Sequence, residues 1–379
     1  MKFRIFTSVE PRLFAAILPS NRALMSSLSG VRIVGSGLIG TSIALALAKN
    51  SIPVDLVDSD ARSENLANDL AMGEKLVDPE LVIFALPSQN LPTVIEREFA
   101  LNPKSTFIDI GSVKTNPLVT IAASKLPLAQ FVATHPMAGR EIGGPESARG
   151  DLFEGRSWVL TPQGSSAQSI ERARKLIELL GATPVEMDPL EHDKAVAAIS
   201  HLPQILSSLL GKQLQEFPDE WLALAGQGLR DTVRIAGSDP KLWQEIISMN
   251  REKIAPLLHA LIDDLQSFEK LLISDGDYSV EIGAFIEDGR VGRAKIPGKH
   301  GGKARSYSYL PIVIADAPGN LAAIFNMCAQ IDVNVEDLSI EHSPGQLTGL
   351  ITLGLSEQGA EKLSQHLITQ GWNVHPVRK

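Results

Sequence analysis

Cysteine is almost absent. Cys328 stands alone, so there can be no intrachain disulfide framework, and a reducing compartment such as the cytoplasm fits. Long apolar runs are missing too, since no stretch reaches the roughly 18 apolar residues of a membrane-spanning helix. Positive charge is in deficit, with 35 Lys and Arg against 44 Asp and Glu for a formal net charge of -9. That balance argues against a nucleic-acid or anionic-membrane partner, and an anionic substrate must be drawn in by a local cluster of arginines or lysines. Internal repeats and low-complexity tracts are lacking. His192 and His201 stand nine apart and lack the i, i+4 spacing of helical metal ligands, so no metal site is read.

What is present is an ordinary globular composition, 44% hydrophobic and 21% charged, over 379 residues, a length that suggests two or three domains. Residues 1–29 are weakly basic, but the apolar run Leu13–Leu18 is too short for a signal peptide. An unstructured extension is expected there. Residues 30–188 alternate short apolar runs with helix-period segments. The strand candidates are Val31–Val34, Val54–Val57, Leu81–Leu86, Thr106–Ile110, Phe131–Thr134, Trp158–Leu160 and Pro184–Glu186. This alternation predicts an α/β unit with a mostly parallel sheet, in which ligands bind outside the carboxyl ends of the strands. Asp188-Pro189 opens a second unit, 189–275, that reads as helices almost throughout. It is too apolar to be solvated alone, and it is expected to pack on the first unit and on a second copy of the chain. Residues 276–306, polar and glycine-rich with the basic stretch Arg290–Arg305, read as a linker. Residues 307–379 then follow the order strand–helix–strand–strand–helix–strand, that of a ferredoxin-like split unit.

The first strand runs into Gly35-Ser36-Gly37-Leu38-Ile39-Gly40, a Gly-x-Gly-x-x-Gly turn that opens a helix. Gly35 permits the tight turn, Gly37 the approach of a pyrophosphate to backbone N–H groups, and Gly40 close packing of helix on sheet. The second strand ends at Asp58, 18 residues past Gly40, where a carboxylate would accept bonds from ribose hydroxyls. A carboxylate there repels a 2′-phosphate, so NAD is favoured over NADP, with Arg62 nearby working against that preference. Leu86 and Pro87, at the end of the third strand, complete the candidate cofactor set of a Rossmann-like domain.

Two further strand ends carry polar residues. One is Gly111-Ser112-Val113-Lys114 and the other His135-Pro136-Met137-Ala138-Gly139-Arg140-Glu141. His135 is placed to accept a proton from a substrate hydroxyl as hydride leaves. The same position suits a loop histidine bonded to backbone, and position alone does not choose. His201 lies on an apolar helical face, where a core role and a functional one are both open. Pro203 crowds the carbonyl of Ile199 and is expected to kink the helix there. Arg230 and Arg234, at i and i+4 on one helix face, repel each other unless an anion lies near them. Asp231 offers the alternative of a local salt bridge.

Taken together these segments resemble the prephenate dehydrogenase family, in its form with a C-terminal ACT domain. The resemblance rests on Val34-Gly-Ser-Gly-Leu-Ile-Gly-Thr-Ser42, Asp109-Ile-Gly-Ser-Val-Lys114, His135-Pro-Met-Ala-Gly139 with Glu141, Ser200-His-Leu-Pro203, Gly228-Leu-Arg-Asp-Thr-Val-Arg-Ile-Ala236 and Asp239-Pro-Lys-Leu-Trp243. In the last unit it rests on Asp316-Ala-Pro-Gly-Asn-Leu321 and Asn334-Val-Glu-Asp-Leu338. It implies NAD-dependent oxidative decarboxylation of prephenate to 4-hydroxyphenylpyruvate in tyrosine biosynthesis. His135 would take the proton of the ring hydroxyl, Ser112 would orient that hydroxyl, and His201 would lie beside the substrate. Arg234 would bind a substrate carboxylate, with Arg230, Glu141 and Trp243 supporting. A homodimer through the helical domain and an amino-acid effector such as tyrosine at the ACT domain are further implications. Three rivals are weighed. Arogenate, with an amino group replacing the keto oxygen, would use the same residues. A 3-hydroxyacid-type dehydrogenase would place a lysine on the helical domain as its acid–base group. A non-catalytic sensor would not need His135, Ser112 and Arg234.

Overall fold

The computed structural model describes residues 28–140, 142–296, 307–341 and 347–378, and the chain divides into two compact units at Asp264 and Leu265. The first unit contains a seven-stranded sheet: β1 (Val31–Val34), β2 (Val54–Val57), β3 (Leu81–Phe84), β4 (Thr106–Asp109), β5 (Phe131–Pro136), β6 (Ser157–Thr161) and β7 (Thr183–Glu186). Their order is β2-β1-β3-β4-β5-β6-β7. All neighbours are parallel except β5 and β6. Helices α1 (Leu38–Lys49), α2 (Ala61–Ala71), α3 (Leu91–Leu101), α4 (Thr115–Ala122) and α5 (Ala167–Leu179) cover both faces.

The continuous apolar strands are explained by burial on both sides. Leu81 and Ile83 face a core shared with Ile43 and Leu47 of α1 and with Leu176 of α5. Val82 and Phe84 face the opposite core, with Leu91 and Ile95 of α3 and Ile121 of α4. The extension expected over 1–29 meets the described residues only at Leu28 and Ser29. Leu28 is buried in the first of these cores, and the Ser29 N–H donates to Glu80 Oε2 at 3.0 Å. Residues 1–27 lie outside the described residues.

Past the sheet come α6 (Pro189–Val196), α7 (Leu202–Gln213), α8 (Asp219–Leu222), α9 (Gln227–Val233), α10 (Pro240–Met249) and α11 (Arg251–Ile273). The two Asp-Pro starts cap as expected. Asp188 accepts from the N–H groups of Leu190 and Glu191, and Asp239 from that of Lys241. Near the kink expected at Pro203, Ala197–His201 winds as a π-helix between α6 and α7, a wide turn of the kind at which helices bend. The expected shared face of Arg230 and Arg234 is also revised. α9 stops at Val233, and Arg234 opens a tighter 3₁₀ turn, Arg234–Gly237.

In the second unit, α12 (Ser279–Ala294) replaces much of the linker expected over 276–306. Its apolar residues are the reason, since Phe285 stacks on Phe268 of α11 with ring centroids 4.4 Å apart. The basic run continues into residues 297–306, which lie outside the described residues. A four-stranded antiparallel sheet follows, made of β8 (Ser308–Ala315), β9 (Asp337–Glu341), β10 (Thr348–Leu355) and β11 (Asn373–Val374). The order is β11-β8-β10-β9. Helices α13 (Asn320–Gln330) and α14 (Glu357–Thr369) bury Ile324, Cys328, Leu363 and Leu367 against Leu310, Ile312, Ile351 and Leu353.

Candidate active site

The glycine turn is built for close approach. Gly35 has φ of +112°, and a Cβ there would sit 2.1 Å from the Ala85 carbonyl oxygen, beside Leu86. A Cβ on Gly40 would lie 2.0 Å from the Gly35 oxygen. Gly37 is different, since nothing lies within 4 Å of the position its Cβ would take. It is the N-cap of α1 and offers no side-chain cap, so the first-turn N–H groups are available to an anion. Buried Ser36 donates its N–H and hydroxyl to Asp58 Oδ2 at 2.6 and 2.9 Å. Burial raises the Asp58 pKa, but hydrogen bonds from Asp60, Ser36 and Ser59 outweigh it and hold the carboxyl below its ordinary range. A fixed carboxylate at the end of β2 suits a ribose diol and opposes a 2′-phosphate. Arg62 is exposed and begins α2, while Pro87 is exposed at the mouth of the β3 loop. These residues fit a dinucleotide. Gly37→Ala is expected to leave the melting temperature unchanged and to weaken cofactor binding at least tenfold, read by titration of intrinsic fluorescence. Equal affinity would show that the pyrophosphate lies elsewhere.

Beyond β3 on the same sheet, β4 and β5 run parallel, with Ser112 in the β4–α4 loop and His135 on the part of β5 that continues past the end of β4. The strand around His135 is heavily tied. Thr134 donates its hydroxyl to the Asp109 carbonyl at 2.8 Å and accepts from Trp158 Nε1 at 2.9 Å. Lys114, fully buried, pairs with Asp109 and donates to the Thr134 carbonyl. On this anchored strand, His135 Nδ1 lies 2.9 Å from His192 Nε2, and His192 Nδ1 lies 2.8 Å from Asp193 Oδ1. The same carboxylate accepts from the N–H groups of Lys114 at 2.7 Å and Thr115 at 2.9 Å, which caps α4 and pins the loop that carries Ser112. Burial raises the Asp193 pKa, but the bonds from His192, Thr115 and Lys114 outweigh it, so the group is held below its ordinary range.

The direction of this chain follows from its end. An ionised carboxylate only accepts, so His192 Nδ1 carries a hydrogen, and in the neutral ring Nε2 is then a lone pair. His135 Nδ1 must then donate to it, leaving the lone pair of a neutral His135 on Nε2. Burial, then Lys114, His192 and His201, push the His135 pKa well below 6.5, with only Asp193 acting against them. The imidazole is thus a neutral base across the physiological range.

A further hydrogen bond joins this chain to His201. Asn250 Nδ2 donates to the Asp193 carbonyl at 2.7 Å and lies 3.1 Å from His201 Nδ1. Trp243 meets the His201 ring edge-on at 6.0 Å. Burial lowers the His201 pKa to about 4, with His192 adding and Asp193 opposing. An unfolded histidine titrates near 6.5, so on acidification the unfolded chain takes a proton that folded His201 refuses until about 4. Stability is therefore lost as pH falls through that window. The urea midpoint is expected to drop between pH 6.5 and 4, and less steeply in His201→Gln. Parallel slopes would contradict this.

His135, His201 and Trp243, singled out in the sequence, thus meet in one network. Arg230 and Arg234 are exposed, on a segment docked to α7 by Gln204 Nε2 donating to the Ile235 carbonyl at 2.9 Å and Ser207 Oγ to the Thr232 carbonyl at 2.8 Å. Glu141 lies outside the described residues. His192, Asp193 and Asn250 were missed. A test of metal spacing alone passes over His192-Asp193, although adjacent His and Asp on a helix with a capped start are a signal in themselves.

Residues 43–186 match the family model described as prephenate dehydrogenase, nucleotide-binding domain, and residues 188–282 match prephenate dehydrogenase, dimerization domain. NovF of Streptomyces niveus, described as a probable prephenate dehydrogenase, is 30% identical over 90% of this chain and 98% of its own length. The prephenate dehydrogenase of Bacillus subtilis is 27% identical over 89% of this chain and 95% of its own. In fold, the chain is similar to the crystal structure of prephenate dehydrogenase from A. aeolicus, with a TM-score of 0.63 at 24% identity over 72% of this chain and 99% of that one. With both family domains matched in order over more than half of its length, the chain belongs to the prephenate dehydrogenase family.

Proposed function

We propose that the chain converts prephenate to 4-hydroxyphenylpyruvate and carbon dioxide, with NAD as oxidant, in tyrosine biosynthesis. The observation that carries this reading is the His135 imidazole, oriented by His192 and Asp193 on the sheet that also carries the Gly35–Gly40 turn. NAD, when bound, accepts hydride from the ring carbon that bears the hydroxyl. His135 Nε2 takes the hydroxyl proton as that carbon becomes a carbonyl. The carbon–carboxylate bond then breaks, its electron pair aromatises the ring, and His135 returns the proton to the phenolate oxygen. Ser112 orients the hydroxyl, while Arg234 binds a substrate carboxylate with Arg230, Glu141 and Trp243 in support. Exposed arginines on a chain of net charge -9 supply the local attraction an anionic substrate needs. Arg234→Ala is expected to raise KM by roughly tenfold or more, the cost of a charge-assisted hydrogen bond, with a smaller change in kcat. An unaltered KM would remove the carboxylate contact.

The test is NADH formation by the purified protein, offered prephenate and arogenate separately, with NAD or NADP. Turnover with prephenate and NAD is expected. Turnover with arogenate alone would keep the mechanism and change the substrate, and silence with both would overturn the reading.

The domain plan we infer is a dinucleotide-binding domain over 30–188, a helical substrate and dimerisation domain from 189, and a ferredoxin-like ACT domain over 307–379. The strand order β11-β8-β10-β9 with both helices packed into one core supports the last. A homodimer is supported by the dimerization-domain match and by Trp221 and Leu224, which are 63% and 84% exposed. Tyrosine is the effector to try at the ACT domain, and inhibition that survives removal of residues 307–379 would place it elsewhere. The cytoplasm is the setting we infer from the single cysteine.

A further inference from the structure

His201 and His135 share one hydrogen-bond network, yet their partners demand opposite things of them. Asn250 decides the matter for His201. Its amide nitrogen faces the Asp193 carbonyl at 2.7 Å, and a carbonyl can only accept, so the orientation of that amide is determined. The second hydrogen of the same NH₂ group is directed to His201 Nδ1 at 3.1 Å. Nδ1 must therefore be the acceptor, and a neutral imidazole that accepts at Nδ1 carries its hydrogen on Nε2. His135 is the reverse case, with hydrogen on Nδ1 and a lone pair on Nε2. Burial enforces the His201 assignment. Asn250 is 3% exposed, His201 1% and Asp193 1%, so water is not at hand to replace a mismatched partner, and a reversed ring would leave two donors facing each other.

We propose that Asn250 is a positioning residue that holds His201 as a neutral Nε2–H hydrogen-bond donor, so that the two histidines divide their work: His135 accepts a proton and His201 donates a hydrogen bond to an oxygen of the substrate. The division rests on the prephenate reading above only for what the two rings contact; the tautomers themselves do not depend on it. It has a chemical consequence. A donor at His201 favours a carbonyl or carboxylate oxygen over an ammonium group, and it keeps a second base out of the site. The groups that face His201 are Asn250, Asp193, His192 and Trp243, and of these Asn250 alone has a described hydrogen bond to Nδ1.

The experiment is ¹⁵N NMR of the full chain labelled in histidine at pH 7, with the His201 signals assigned by their loss in His201→Gln. The expected pattern is a pyridine-type nitrogen at Nδ1 and a protonated, pyrrole-type nitrogen at Nε2. A protonated Nδ1, an even mixture of tautomers, or an imidazolium would each overturn the proposal. Because the wild-type protein is measured without substrate, the result stands whatever reaction the enzyme performs. Asn250→Ala should then shift His201 to a mixture of tautomers and raise KM for prephenate about tenfold, with kcat changed less. Asn250→Asp should convert Nδ1 into a donor and move the tautomer wholly to the other nitrogen. A purely structural Asn250 would lower the melting temperature in both variants and leave the tautomer of His201 as it was. If neither variant folds, the wild-type spectrum still decides.

Discussion

Replacing His135 with asparagine should lower kcat by about 10²- to 10⁴-fold, the range of a lost general base, while NAD binding stays within twofold of wild type. Asparagine keeps an NH₂ group to donate to His192 Nε2, so the chain to Asp193 survives and only the proton acceptor is removed. Cofactor titration and NADH production, measured on the same preparation, separate the two effects. Unimpaired turnover would remove His135 from the mechanism. The wild-type pH profile is part of the same expectation. His135 is pushed well below 6.5 by burial and by Lys114, His192 and His201, so it stays neutral, and competent as a base, on moderate acidification. The acid limb of kcat/KM, which reports the free enzyme, should therefore fall below 6.5. A limb centred on 6.5 or above would show a base that is neither desolvated nor beside a buried ammonium.

The largest expected effect on stability lies at Lys114. Its ammonium is fully buried and pairs with Asp109, itself only 3% exposed. Burial lowers the Lys114 pKa, and the Asp109 carboxylate works in the opposite direction. Lys114→Met keeps much of the volume but strands the Asp109 charge and withdraws a donor from the Thr134 carbonyl. Removing one partner of a buried pair costs about 3–5 kcal/mol, and urea denaturation should show a loss of that size. The double variant Asp109→Asn with Lys114→Met leaves no unpaired charge, and it should recover more than half of the loss. A double variant no more stable than Lys114→Met alone would mean that the methionine side chain, not the stranded carboxylate, causes the damage. The pair also touches the strand that carries His135, so even a well-folded double variant should show a raised His135 pKa, because a neighbouring positive charge has gone.

Much of this enzyme was readable before any coordinates. The seven strands of the first sheet agree with the apolar runs to within one or two residues, and for the central strands the reason is burial on both faces, which needs an unbroken apolar sequence. The glycine turn was legible for a related reason. Gly35 at φ +112° and Gly40 against the Gly35 carbonyl are positions where any Cβ collides, so residue type alone betrays the backbone path. Asp188 and Asp239 announced their helices through local capping bonds. Where the sequence reading erred, the reason was also physical. The glycines of 276–306 suggested a linker, yet ring stacking between Phe285 and Phe268 supports a helix there. Pro203 marked an irregular helix, but the form of the irregularity, a π turn over Ala197–His201, came only with the structure.

The sequence by itself determined the elements, the tight glycine turn after β1 and the placing of His135 and Ser112 at strand ends, since each of these depends on contacts within a few residues or on a repeating pattern of burial. Only the tertiary structure decided what the histidines can do. His135 meets His192 across 57 positions, Asp193 reaches Lys114 across 79, and Asn250 reaches His201 across 49. Bonds that join such distant residues leave no periodicity behind. The protonation state and tautomer of a ring are set by the partner that folding brings to it, and by the water that folding takes away.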